Sequence, residues 1–302
     1  MGRRGAGSDG AGDAGDASPL FGFVQFEFPW RLGPPDGRYV LRGHAGVPAH
    51  VLVLATLGTT ERRLLGRARR PRRAEPEPPP EPVPTSRATL IGAEPFPTQA
   101  AADAWRSGLE PEVEVARAVV TLNAVLHAQR AAAADPWLRE VARDQALVVR
   151  IGLGAGDDVA HGRWRSAVTV PAPPDAVTRR SSLRSQERLA ALLGGRDAAL
   201  ACEELALRAR ADLDAGRLRE AALQLRVALE AALAELVPWA ERAGLAARLD
   251  ELRSERGPVG AAANRAVQGG LDAEAAADVE RVLGRLEAAL RVRTVTALDA
   301  LS

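Results

Sequence analysis

The residues with the most chemical potential lie together in Gly152-Leu153-Gly154-Ala155-Gly156-Asp157-Asp158-Val159-Ala160-His161-Gly162-Arg163-Trp164. A glycine-rich turn behind an apolar strand can wrap an anion in backbone N–H groups, because glycine curls without a Cβ in the way. On that reading Gly152, Gly154 and Gly156 cradle a phosphate and Arg163 neutralises it. Asp157, Asp158 and His161 offer a second chemistry, as ligands for a cation or as an acid/base set for hydrolysis. The two carboxylates oppose the first reading, since they repel a phosphate unless a metal lies between. The spacing is Gly-x-Gly-x-Gly rather than the dinucleotide fingerprint, and no strong helical pattern follows. The competing reading is a solvated hairpin turn in which Gly and Asp serve the backbone, and it is the preferred one.

Other residue types narrow the chemistry further. All 40 basic residues are Arg, so the chain has no amine for a Schiff base and no Walker-type lysine. One cysteine, Cys202, excludes an internal disulfide and a Cys-rich zinc site. It falls in a helical run and reads as a small buried hydrophobe. His44, His50, His127 and His161 show no metal-binding pair spacing, and His127 reads as a C-terminal residue that complements its helix dipole. No Gly-x-Ser-x-Gly elbow is present. No cofactor and no metal centre are expected, and catalysis would have to rest on Asp, Glu, Arg and isolated His.

The formal net charge is +1, so no whole-chain field draws in a polyanion. Arg62, Arg63, Arg67, Arg69, Arg70, Arg72 and Arg73 nonetheless form a basic block, followed by the acidic proline run Glu75 to Pro82. The block could contact phosphates of nucleic acid, but it lacks interleaved aromatics for base stacking. A solvated loop next to an extended polyproline segment is the preferred reading. No apolar run approaches the roughly 20 residues of a membrane helix, and the Gly/Ala/Asp/Ser-rich start has no signal-peptide core. A cytoplasmic protein with no membrane partner is the expectation.

The elements that must position these residues fall into two groups. Leu20 to Phe28 alternates with an aromatic bias and reads as a strand. Arg38 to Arg42, His50 to Thr56, Thr85 to Ile91, Ala146 to Ile151 and Val168 to Val170 read as further strands. Helices are expected from Thr98 to Gly108 and from Pro111 through about Ala131, with a short restart at Asp135-Pro136-Trp137. Beyond a linker at 171–184 the pattern is helical: Ser185 to Leu193, Asp197 to Ala215, Arg217 to Ala240, Leu245 to Glu255, Pro258 to Val267 and Asp272 to Leu298. Gly194-Gly195, Gly216, Gly244, Gly257 and Gly269-Gly270 stand at the joints. The best-formed helix is Leu218 to Leu236. Leu218, Ala222, Leu225, Leu229, Ala232 and Leu236 line one face of it, widened by Leu223 and Val227.

The expected fold class is therefore α+β: a mixed or antiparallel sheet domain with two to three helices over 20–170, then an all-α bundle over 185–302. Residues 1–19 read as a disordered tail and 61–84 as a disordered insertion. Around Asp214-Ala215-Gly216-Arg217, with Ala221, Leu225 and Ala228 after it, the segment from Leu205 to Ala228 resembles one tetratricopeptide-type helical hairpin. Ala209 stands where glycine is usual and Asp212 where an aromatic is usual. No second copy appears at that repeat length, so no solenoid is expected. The resemblance implies a protein- or peptide-binding helical surface, and a plain helix pair with small alanine contacts gives the same pattern. The functional expectation is a non-enzymatic protein whose bundle binds another protein or a second copy of itself. A ligand-binding or hydrolytic domain at Gly152 to Trp164 is the alternative, and nucleic-acid binding through the Arg block the second.

Overall fold

A computed structural model of the chain describes residues 18–43, 46–58, 83–172, 179–242 and 244–299. His44 and the basic block Arg62 to Arg73 lie outside the described residues, as do residues 1–17 of the tail and the whole proline run. The chain divides into two units, Met1–Pro173 and Pro174–Ser302.

The first unit is a six-stranded antiparallel sheet with two α-helices. Its strands are β1 (Leu20–Phe28), β2 (Gly37–Arg42), β3 (Pro48–Leu57), β4 (Thr85–Gly92), β5 (Val148–Ala155) and β6 (Ser166–Thr169), in the order β2-β3-β4-β1-β5-β6. β1 is central, pairing Phe23 with Ile91 on one side and with Gly152 on the other. The period of two sorts its residues: Val24, Phe26 and Phe28 face one side, Phe23, Gln25 and Glu27 the other. The first face packs Phe26, Phe28, Leu52 and Leu90 against Val115, Leu122 and Leu126 of α2 (Pro111–Ala133). The second carries Phe23, Val53 and Ile91 beneath Val159 and Ala160.

Helix starts follow local chemistry. Thr98 caps α1 (Gln99–Ser107), its hydroxyl accepting from the Ala101 N–H at 3.1 Å. Pro111 opens α2, with Glu112 and Glu114 in its positive first turn. The expected helical restart at Asp135 does not form. Ala134 takes a left-handed conformation (φ 50°) that turns the chain out of α2, and the Asp135 carboxylate accepts from the Trp137 N–H at 2.9 Å to close a turn.

The second unit is all helical: α3 (Arg179–Leu193), α4 (Ala201–Asp214), α5 (Leu218–Glu235), α6 (Leu245–Ser254), α7 (Arg256–Gln268) and α8 (Ala273–Asp299). α5 is its centre. Leu225, Leu229, Ala232 and Leu236 are buried among Ala206 and Ala209 of α4, Val259 and Ala262 of α7 and Val282, Leu283 and Leu286 of α8. Leu223 and Val227, expected to widen this face, stay exposed, and Ala221 and Leu233 are buried instead. The run expected from Asp197 becomes helical only at Ala201, because Asp197 is held by the Ala198 N–H at 2.8 Å and by two arginines. Gly257 lies inside the first turn of α7 rather than at the joint. Glu255 occupies the joint, buried, and receives Arg281 at 2.6 Å together with Arg285. No helix among the described residues is long and apolar enough to cross a membrane.

Candidate functional site

The glycine-rich segment is not the turn expected of it. β5 runs through Gly152 and Gly154 to Ala155, so both glycines sit in the sheet. Gly152 lies opposite Ala167 in the register with β6. A Cβ there would stand 2.8 Å from Ala167 Cα and 2.9 Å from the Phe23 ring, and would overlap the Ser166 carbonyl. A Cβ on Gly154 would overlap Val159. These glycines serve close packing, with their backbone committed to strand pairing rather than turned toward an anion. Gly156 turns the backbone, at φ 43°, into the 3-10 turn Gly156–His161, and Gly162, at φ 79°, turns it out again.

That turn sends its polar groups apart. Asp157 pairs with Arg38 of β2, Asp158 with Arg163 at 2.5 Å, and His161 is exposed. Among the described residues no three His, Cys, Asp or Glu side chains gather closely enough to hold a metal ion. His127 lies inside α2, which runs on to Ala133, and its Nδ1 stands 3.7 Å from Glu140 rather than serving the helix end. Cys202 is buried, and burial, then the Glu235 carboxylate, pushes its thiol up to about 12, leaving it an unreactive hydrophobe.

The sheet's second face carries a polar network that the strand pattern did not announce. Glu27 accepts from Arg87 at 2.9 Å and from Arg150 at 2.9 Å, and Arg150 lies 5.6 Å from the centre of the Trp164 ring. Burial raises the Glu27 carboxyl, but the Arg150 and Arg87 guanidiniums outweigh it and hold it below the ordinary value. Beside it Gln25, fully buried, donates to Thr89 at 2.9 Å and to the Val159 carbonyl at 3.2 Å. Both guanidiniums here bond the one Glu27 carboxylate, so the network ties β1, β4 and β5 together across the sheet.

The helical unit holds the larger recess. α3 buries only Ala191 among the side chains described for it, and leaves Leu183, Leu189 and Leu193 exposed. Between α3, α4 and α8 lies a groove of about 690 Å³. Ala206, Leu207, Leu290 and Val295 form its apolar floor, and Leu207 is 67% exposed. Arg188 ties α3 to its neighbours: it donates to both oxygens of Glu203, at 2.6 and 2.7 Å, and reaches Asp197 at 3.4 Å. Asp197 also takes the buried Arg293, whose guanidinium lies 4.9 Å from the centre of the Trp239 ring. Arg184 and Arg291 stand on the groove's rim, exposed and in no ion pair with another described residue.

None of these groove residues stood out in the sequence, since each belongs to an ordinary helical pattern and their meeting depends on packing across the unit. The recess has the size of a binding site, an apolar floor and two arginines at its edge that pair with no other described residue. Compared with protein-family models, with curated proteins and with solved structures, the chain shows no match.

Proposed function

We propose that this is a non-enzymatic protein whose helical unit binds another protein through the groove between α3, α4 and α8. The occupant is an amphipathic helical segment carrying carboxylates beside its apolar side chains. The observation that carries this reading is the combination of an apolar floor with Arg184 and Arg291 on the rim, neither in an ion pair with another described residue. Helix-in-groove recognition takes its affinity from apolar anchors, and rim charge selects the sign of the partner. Exposed Leu207 is the natural anchor contact, and the α4–α5 hairpin supplies a rigid support for it.

The test uses the full chain and two designed amphipathic helical peptides with identical leucine positions, one flanked by Glu and one by Lys. The acidic peptide is expected to bind saturably and the basic one at least about tenfold more weakly. Reversing Arg184 and Arg291 together to Glu should invert that order, and Leu207→Asp should remove both interactions. Equal binding of the two peptides, or none, refutes the proposal. A concentration-dependent dimer in light scattering that Leu207→Asp dissolves would also overturn it, by making a second copy the occupant.

A further inference from the structure

The first unit's sheet is missing two side chains side by side. Gly22 of β1 and Gly92 of β4 neighbour each other on the face that α2 covers. Phe23 pairs with Ile91 one step further in, and a Cβ on Gly92 would lie 3.7 Å from the Gly22 carbonyl oxygen. The same face carries Val24, Phe26 and Phe28 along β1 and Ala88 and Leu90 along β4, so it is filled elsewhere. Neither glycine has a positive φ. The backbone does not ask for glycine at these positions, but the space above them does. There a cavity of about 360 Å³ opens between the sheet, α1 and α2.

Its walls have a definite character. Phe96 and Trp105 form an aromatic side, their ring centroids 5.4 Å apart, with the Trp105 ring over Gly22. The polar groups are His50 of β3, opposite Gly92 in the register, Glu94, and Glu114, Arg117 and Thr121. Arg117 donates to Glu114 Oε1 at 2.8 Å, and Thr121 donates to the Arg117 carbonyl at 2.9 Å, which leaves the hydroxyl oxygen free to accept. Burial holds the His50 imidazole below its ordinary range, with the Glu114 charge pulling the other way. The ring is therefore neutral at pH 7 and offers an acceptor nitrogen. The charged residues lining the cavity are two carboxylates, Glu94 and Glu114, and one guanidinium, Arg117.

We propose that this cavity binds a small organic cation, an ammonium group on an aromatic or apolar body. The ammonium donates toward Glu114 and His50, and the body lies against Trp105 and Phe96. The charge balance of the lining favours a cation over an anion, and the aromatic wall packs against the ligand's body. The volume is in the range of small-ligand sites.

The probes are phenethylammonium chloride, sodium phenylacetate and phenethyl alcohol, titrated calorimetrically into the full chain. Phenethylammonium is expected to bind saturably with a Kd of about 1 mM or tighter, and phenylacetate at least about tenfold more weakly. Gly92→Val fills the cavity at a strand position that suits a β-branched residue, and should abolish binding without lowering Tm. Glu114→Gln should weaken the cation about tenfold and leave the alcohol unchanged. A shift of the Trp105 indole N–H signal on titrating the unmodified protein reports the site without relying on any variant's folding. Binding of phenylacetate as tight as that of the ammonium, undiminished binding in Gly92→Val, an unmoved Trp105 signal, or no binding below about 10 mM each overturns the proposal.

Discussion

Arg293→Met probes the helical unit at its most committed polar group. Arg293 is 1% exposed, the largest fully buried side chain of the described residues. It donates to Asp197 at 2.5 and 3.2 Å and to the Ala198 carbonyl at 3.2 Å, and lies over Trp239. Methionine keeps the length and the apolar contact but removes every donor. Asp197, whose side chain is 7% exposed, would retain only Arg188 at 3.4 Å and the Ala198 N–H. Breaking a buried pair by removing one partner costs about 3–5 kcal/mol, and the surviving contacts place this case at about 3 kcal/mol. Urea unfolding at pH 7 followed by far-UV circular dichroism should show a lower midpoint with an unchanged slope. The loss should shrink as pH falls. Burial raises the Asp197 carboxyl, but the Ala198 N–H, Arg293 and Arg188 outweigh it and hold it below its ordinary value of 3.8. Its stabilisation is thus present above that value and lost as pH falls through the folded-state value. Without Arg293 that acid-sensitive share is smaller from the start. Asp197→Asn in the same background removes the stranded charge and should recover about 1–2 kcal/mol. A single-variant cost below about 1 kcal/mol, as for an exposed pair, would refute the reasoning. So would a double variant less stable than Arg293→Met alone.

Two further outcomes follow from the packing. Gly152→Ala forces β6 and Phe23 apart and should cost about 3 kcal/mol in thermal unfolding, and a loss under about 0.5 kcal/mol would mean β6 can move away freely. The Glu235 carboxylate, at the end of α5, accepts from the Ala201 and Cys202 N–H groups at 3.2 and 2.9 Å and so caps α4. Burial raises the Glu235 carboxyl, yet the Cys202 N–H first and then the remaining donors bring it below its ordinary 4.5, so its contribution is present above that pH and lost below it. Glu235→Gln should cost about 1 kcal/mol at pH 7 and flatten the fall of Tm between neutral and acidic pH, and an unchanged acid limb would count against the cap.

The local patterns were legible because each is written within one element. The alternation of Phe21 to Phe28 and the three-four spacing of Leu218 to Leu236 need no partner to be recognised, and they place the central residues Ala222, Leu225, Leu229 and Ala232 in the core while Leu223 and Val227 stay exposed. Gly152 was misread because glycine has two uses. One is a turn, a property of its own backbone. The other is room for a neighbour, here Ser166 and Ala167 on the next strand, which appears only once the register is known. The groove was invisible for the same reason: Arg184 and Arg291 are unremarkable on their own helices and acquire a role only by facing one recess. The start of α3 at Arg179 was missed because its first turns lack an apolar stripe, the signal by which a helix is read. Gly22 and Gly92 belong to the same class, two positions distant in sequence that jointly leave out a volume.

The groove's walls are the first and the last helices of their unit, α3 and α8. Tension applied through the chain at both ends of this unit therefore reaches the groove directly, and through α8 the core around α5 as well. The pin from Arg188 to Glu203 and Asp197 is the contact such a pull would meet first. An occupant bridging α3 and α8 would carry part of that load and act as a mechanical latch, slowing the peeling of α3. A force of the same size applied to the bare unit would meet only the Arg188 contacts before opening the recess.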